Sequence, residues 1–422
     1  MIKDLIGIAI LFISTLSFSQ ATNSSPYSLF GIGDQAHLKT VEEIGMGQMG
    51  GALNSEYQLS FTNPASYGAL SWTTYVFSGG NKSNFVDDGE NKQSSSAAAL
   101  SYIGLGVPIR GNQGLVMGMQ LNTSVGYSLI DQTFDDEGEL IEIDRYYGNG
   151  GTNRVFLGYG YQFKYDLSLG VELAYVFGGI DNNVLNRRDQ VQLATQHVTD
   201  SNIKGTSIKA GVHYGPKISE NLRLKVGLAA DFQSSLREKG DIQLYSLINR
   251  EGASDFPIDT LSSEQYSAEI ISPLKTAISA GIGEDNKWFV GAEYTFQNAL
   301  EFNGGIYDNI DFYRYDKFSN ISVGGFFTPK MNSINNYFER VTYRAGFNYQ
   351  KTGLIVNETE INEYGISFGV SLPMGLKLSN VNLGFELGKR GTTDNNLIEE
   401  DFFNFRLSLS LNDKWFRRQK IY

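Results

Sequence analysis

From about residue 72 onward the chain alternates apolar and polar residues with a period of two, in runs long enough to restrict the fold severely. The run from Leu167 to Phe177 sets Leu169, Val171, Leu173, Tyr175 and Phe177 on one face and Ser168, Gly170, Glu172 and Ala174 on the other. The run from Leu222 to Phe232 does the same, with Arg223, Lys225, Gly227 and Asp231 opposite its apolar row. Residues 288–296, 341–349, 381–387 and 403–411 repeat the pattern. A two-residue period belongs to strands with one apolar and one polar face. Strands of soluble sheets run to about 5–6 residues, whereas a tilted strand that crosses a bilayer needs about 9–11. Runs of this length predict strands that cross lipid.

Fourteen such segments can be placed: 72–85, 96–109, 114–129, 152–164, 167–178, 203–215, 221–233, 265–282, 287–299, 314–328, 340–350, 362–373, 378–389 and 402–411. An even number suits a closed bacterial barrel. Short links (Arg110–Gln113, Tyr165-Asp166, Pro216–Glu220, Gly283–Asn286, Met374–Lys377) alternate with long ones (130–151, 179–202, 234–264, 300–313). Short periplasmic turns and long external loops have this asymmetry. The 329–339 link is too long for a plain turn and does not fit the scheme. The expected architecture is all-β: a fourteen-stranded antiparallel transmembrane β-barrel over 72–411, with a periplasmic tail at 412–422.

Composition agrees. Glycine (47 residues) and aromatics (13%) are abundant, and cysteine is absent, which excludes disulfides, thiolate metal sites and a cysteine nucleophile. A net charge of −12 excludes a nucleic-acid partner, which requires a basic face. The mean hydropathy of −0.24 excludes a polytopic helical membrane protein, so any membrane role falls to strands. Glycines such as Gly158, Gly160, Gly170, Gly211, Gly227, Gly291, Gly346 and Gly384 sit on the polar row, where a crowded lumen needs room. Residues 1–19 read as a secretory signal: Lys3, then an apolar stretch from Ile6 to Phe18 too short to span, then Ser17-Phe18-Ser19 before Gln20. The expected destination is the bacterial outer membrane.

Residues 20–71 do not alternate. They carry Ser25-Pro-Tyr-Ser-Leu-Phe-Gly-Ile-Gly-Asp34, then Gly45-Met-Gly-Gln-Met-Gly-Gly-Ala52, then Thr62-Asn-Pro-Ala65. Closely spaced small residues let backbones approach, and Asn-Pro opens a turn or a first helical turn. This segment predicts a plug, or hatch, folded into the lumen, built around Gly45, Gly47, Gly50, Gly51, Asn63, Pro64 and Ala65. The Gly45–Gly50 spacing also satisfies a dinucleotide-binding expression but lacks the flanking βαβ unit.

The glycine run, the spacer, Asn63-Pro64-Ala65 and the barrel behind them resemble the long-chain fatty-acid transporter (FadL-type) outer-membrane family. The Ser25–Asp34 patch is similar to the N-terminus of its Bacteroidota branch. The resemblance implies a hatch inside a fourteen-stranded barrel and diffusion of small hydrophobic molecules. Ligand would enter between outer loops, bind an apolar pocket above the hatch and leave through a side opening. Two features depart from that: no lumen row is conspicuously apolar, and the branch includes barrels that serve secretion or assembly machinery without importing lipid. Both roles stay open, passage of hydrophobic molecules and a non-transporting subunit of a secretion or barrel-assembly machine. The expected partners are outer-membrane lipid and lipopolysaccharide, a hydrophobic small-molecule ligand, and outer-membrane or periplasmic proteins.

Three Gly-x-Glu repeats place Glu172, Glu293 and Glu386 inward near the periplasmic end of strands five, nine and thirteen. With Arg344 and Arg406 they are the expected lumen charge ring, either gating the lumen or stiffening the wall; Arg154, Arg223 and Lys225 are further inward bases. No catalytic site, metal or cofactor is expected. Of His37, His197 and His213 only His213 is expected on a strand, and no Ser/His/acid triad can be assigned. The acidic 130–151 link could attract a divalent cation but reads as a solvated loop. Asp259-Thr260-Leu261 resembles a short O-glycosylation sequon. The tail's Lys414, Trp415 and following bases could meet headgroups or a partner.

Overall fold

The computed structural model of the protein describes residues 23–248, 257–307, 312–375 and 378–415. The expected signal segment and most of the tail lie outside these residues. Fourteen antiparallel strands close on themselves: β1 (Thr73–Asp87), β2 (Lys92–Arg110), β3 (Gln113–Phe134), β4 (Leu140–Gln162), β5 (Leu167–Arg188), β6 (Leu193–Tyr214), β7 (Arg223–Asp231 and Ser234–Ile248), β8 (Pro257–Ser272 and Lys275–Glu284), β9 (Trp288–Gln297 and Glu301–Asn303), β10 (Tyr313–Tyr315 and Phe318–Phe327), β11 (Thr342–Val356), β12 (Thr359–Met374), β13 (Ser379–Gly391) and β14 (Glu399–Asp413). β14 returns to β1 in register from Asp413 opposite Thr73 to Glu399 opposite Asp87. Closure pairs the strands around the whole circle at the lower level of the belt, where an unpaired backbone group would find no water.

The two faces are inverted relative to a soluble protein. Outward side chains such as Leu157, Leu173, Ile208, Ile278, Val290, Ile321, Phe347, Ile366 and Leu387 are exposed around the full circumference. Inward ones such as Ser78, Lys209, Ser279, Glu293, Ser322, Asn348, Ser367 and Ser408 are buried. A belt of this kind, about 25 Å tall, is what an outer-membrane barrel turns to lipid. The belt ends upward in charged residues, among them Lys204, Arg237, Lys351, Lys389 and Asp401. Trp72, Tyr75 and Trp415 mark its lower rim, where Trp415 packs edge-on against Tyr75 at 5.6 Å and Lys414 lies over Trp72 at 4.4 Å.

The links at 130–151, 179–202 and 234–264 are not the long loops expected from the sequence, whereas that at 300–313 gives up only its ends to strands. β3 continues to Phe134 and β4 begins at Leu140; β5 continues to Arg188 and β6 begins at Leu193. The acidic link is therefore a hairpin, its turn capped by Asp135, which accepts from the amides of Glu137 and Glu139. His197 consequently lies on β6, contrary to expectation. The cause is physical: above the lipid the outer face is wet and polar, so the period-two pattern fades although the ladder continues and inner side chains such as Leu185, Ala194 and Leu247 stay buried. The 329–339 link closes the lower end as a folded turn, with Thr328 N–H donating to the Lys287 carbonyl (2.6 Å), Lys330 N–H to that of Glu339 (2.7 Å) and the Tyr337 hydroxyl to that of Pro373 (3.2 Å).

Above the belt the wall is unevenly tall. β3 to β6 have 22 or 23 residues each, whereas β11 to β14 have 13 to 16. β2 and β3 pair only from Arg110/Gln113 to Tyr102/Gln120. Higher up, β3 is bridged instead by a two-residue strand, Asp34–Gln35, opposite Ser124 and Thr123.

Candidate functional site: the filled lumen

Residues 23–71 run inside the barrel from the end where the strands are tall to the end closed by the short turns. At the top, Ser25 donates to Glu400 (2.5 Å), the Asn23 amide donates to Asp34 (2.8 Å), and Asp34 pairs with Arg390 at 2.7 Å. Against the cost of burial, Arg390 and Lys82 hold the Asp34 carboxyl below its usual range. Mid-way, a single turn of helix, α1 (Val41–Ile44), is set by a capping box: the Thr40 hydroxyl accepts from the Glu43 amide while the Glu43 carboxylate accepts from the Thr40 amide. At the base, Asn63 caps the 3-10 turn Pro64–Ala69, accepting from the Ala65 amide at 3.0 Å, with proline at the first helical position.

The three inward glutamates each hold this segment. Glu293 accepts from the amides of Gly50 (3.1 Å) and Gly51 (2.7 Å) and from Lys39 (2.5 Å). Glu172 accepts from the Tyr67 hydroxyl (2.6 Å) and from Arg154. Glu386 accepts from Gln48 (3.0 Å), Asn404 (3.0 Å) and Arg406 (2.9 Å). All three are at most 2% exposed, so removing one partner strands buried charge. The five expected ring residues do not form one circuit. Arg344 contacts none of the three glutamates; it donates to Ser371, which donates to Asn382, whose amide donates to Glu42 of α1 at 2.8 Å. Arg223 and Lys225 turn instead to Asp285 at the lower rim, at 2.6 and 3.1 Å.

The glycines of the segment meet the glycines of the wall. A Cβ on Gly346 would stand 2.1 Å from the amide nitrogen of Gly47, which itself has φ +70°. One on Gly227 would stand 1.9 Å from the Gly51 carbonyl oxygen. Gly45 lies against Gly369 in the same manner. Asn63 donates to the carbonyls of Gly51 and Val212, both at 2.9 Å, Pro64 lies against Gly170, and Ala65 is fully buried. His213 faces the segment at the Ala52 carbonyl, 3.1 Å away. Sequence reading did not single out Lys39, Gln48 and Tyr67. Only their place between the glycine patches and the first strand could have flagged them.

Two cavities of about 200 Å³ each remain beside the segment, lined by Lys39, Lys82, Arg390 and Arg406 in one and by Lys209, Lys275, Gln297 and Gln350 in the other. On the outer wall, where β9 and β10 are interrupted, lies a recess of about 500 Å³ bounded by Tyr294, Phe296, Asp316, Lys317, Lys351 and Glu360. Phe318 borders the recess and both cavities, with Lys275 stacked over its ring at 4.5 Å. Among the described residues no group of three or more carboxylate or imidazole side chains is arranged to hold a metal ion.

A sequence model of the BamG family matches the chain over residues 1–422. The chain belongs to the BamG family. No curated protein sequence matches it. Among solved structures, this BamG-family chain is similar to a Pseudomonas aeruginosa FadL homologue (12% identity, TM-score 0.60, covering 90% of this chain and 99% of the other) and to the Pseudomonas putida toluene transporter TodX (15% identity, TM-score 0.57, covering 89% and 98%). At these identities the likeness is one of fold: a fourteen-stranded outer-membrane barrel.

Proposed function

We propose that this BamG-family chain is a non-transporting barrel subunit of an outer-membrane barrel-assembly machine. The observation that carries this reading is the way the lumen is filled. The segment 23–71 meets the wall through buried carboxylates and backbone crossings at glycine, and the space beside it is small, with charged side chains such as Lys39, Arg390 and Lys275 set among apolar ones such as Ile32, Leu300 and Phe318. A path for hydrophobic cargo needs a continuous apolar surface. In this role the segment is a permanent plug that keeps the barrel from leaking. The belt is set in outer-membrane lipid and lipopolysaccharide, and protein partners meet the parts above and below it. The family name agrees with such a role, and the Ser25–Asp34 patch supports a place in the Bacteroidota branch. Purification from native membranes in mild detergent, with mass spectrometry of everything that co-elutes, tests the reading. Other assembly components should appear in fixed ratio to the barrel. A solitary barrel loaded with a hydrophobic ligand would contradict it.

A second reading, lateral passage of small hydrophobic molecules, is favoured by one observation: the outer recess at the upper margin of the belt shares Phe318 with both lumen cavities. If that reading holds, Phe318→Ala accelerates uptake of toluene into vesicles carrying the protein. Uptake equal to that of empty vesicles, with or without the substitution, would dispose of it.

A further inference from the structure

Above the belt the tall sheet from β3 to β8 has two lateral edges, and they are built differently. The β8 edge opens with Pro257, and its pairing with β7 is broken by register shifts at Pro257/Asp259 and Thr260/Ser262. Proline and bulges of this kind blunt an edge against further pairing. The β3 edge has no such guard. Residues 128–133 (Ser-Leu-Ile-Asp-Gln-Thr) run in unbroken register with Tyr147–Glu142 of β4 and, among the described residues, pair with no other strand. They include no proline, lysine or arginine, and all but half-buried Leu129 are exposed. An open edge rich in β-branched and aliphatic residues offers a row of N–H and C=O groups to an added strand.

The side chains beside this edge also specify what would fit. On the inner face Asp131 stands opposite Asp144, and Glu142 follows one step further. Tyr146 lies among them, its phenol pushed up by burial and by Asp144, Asp131 and Glu142. On the outer face Ile130 and Phe134 are 61% and 54% exposed. We propose that the β3 edge from Ser128 to Thr133 is a strand-addition site for an extended polypeptide segment of another protein, one in which basic and aliphatic side chains alternate. The basic row would meet Asp131 and its neighbours, and the aliphatic row would continue Ile130 and Phe134. This goes beyond the assembly role, because the edge exists whatever the barrel's wider duty.

The full-length protein in lipid nanodiscs is titrated into a fluorescent peptide of alternating valine and lysine about ten residues long, and anisotropy is recorded. The expected result is saturable binding, weakened at least about tenfold both by N-methylation of alternate peptide residues and by Asp131→Lys, and changed less than about twofold by Asp259→Lys on the β8 edge. N-methylation removes amide donors without altering charge, so it separates strand addition from simple attraction to an acidic surface. Equal binding of the N-methylated peptide, insensitivity to Asp131→Lys, or absence of saturable binding would overturn the proposal. So would an Asp131-dependent dimer seen by light scattering, which would make the occupant a second copy of this chain.

Discussion

The lower and upper halves of this barrel follow different rules. In the lower half every strand is paired on both sides around the circle, from β2–β3 through β8–β9 to β14–β1, and the lumenal segment is fixed to the wall by Glu172, Glu293 and Glu386. In the upper half β2 and β3 part company above Gln120, and the strands differ widely in length. The tall strands there rise roughly 25–30 Å above the lipid, given about 3.3 Å per residue and the usual tilt. Lipid accounts for the contrast. Where hydrocarbon surrounds the wall, every backbone group must be paired. Where water surrounds it, edges and breaks cost little and become available for contact.

If the lower half is the rigid part, damage there should be large and damage above small. Glu293→Ala leaves Lys39 and the Gly50 and Gly51 amides without their acceptor. The expected loss is about 3–5 kcal/mol of stability, read as a lower temperature for heat-induced unfolding of the barrel on gels and as protease access to residues 23–71. Gly346→Ala forces a methyl against the Gly47 amide, and a cost of about 1–3 kcal/mol should appear in the same assay. A wild-type profile in either variant would mean that the segment is not clamped as described.

A pH series sharpens the comparison further. His37, in the lumenal segment beside Gln48, is lowered to about 4 by burial, with Arg406, Lys275 and Lys39 adding to the effect and Glu386 opposing it. Its folded pKa lies below the unfolded value of about 6.5, so the stabilisation is complete above that pH and declines as pH falls toward 4. Ion leak through bilayer-embedded protein should rise over that window, and His37→Asn should flatten the rise. The smallest effect is expected above the membrane. Removing the hairpin tip at residues 132–142 should change heat stability by less than about 0.5 kcal/mol; a large loss would show that the tall sheet carries the fold.

The legibility of the chain divides along the same line. Each of the fourteen segments read from alternation corresponds to one strand, because lipid outside and a polar lumen inside print a period of two on the residues between them. Gly170, Gly227 and Gly346 stood out on the polar row, and the wall indeed meets the lumenal backbone there, while Gly211 receives the Asn63 and Pro64 side chains. The upper strand extensions left no such print, since Asp181, Asp200 and Asp241, which stand in one cross-strand row, are wet and polar like their neighbours. The partners of Glu172, Glu293 and Glu386 were equally hidden. Tyr67, Lys39 and Gln48 lie more than one hundred residues away in sequence, and no periodicity connects them.

Planar-bilayer conductance of the full chain against a variant lacking residues 21–70 addresses the filled lumen most directly. A barrel sealed by that segment should be nearly silent when intact and should show large, steady openings once the segment is gone. Identical conductance in the two proteins would mean that something other than residues 23–71 closes the pore, or that nothing does.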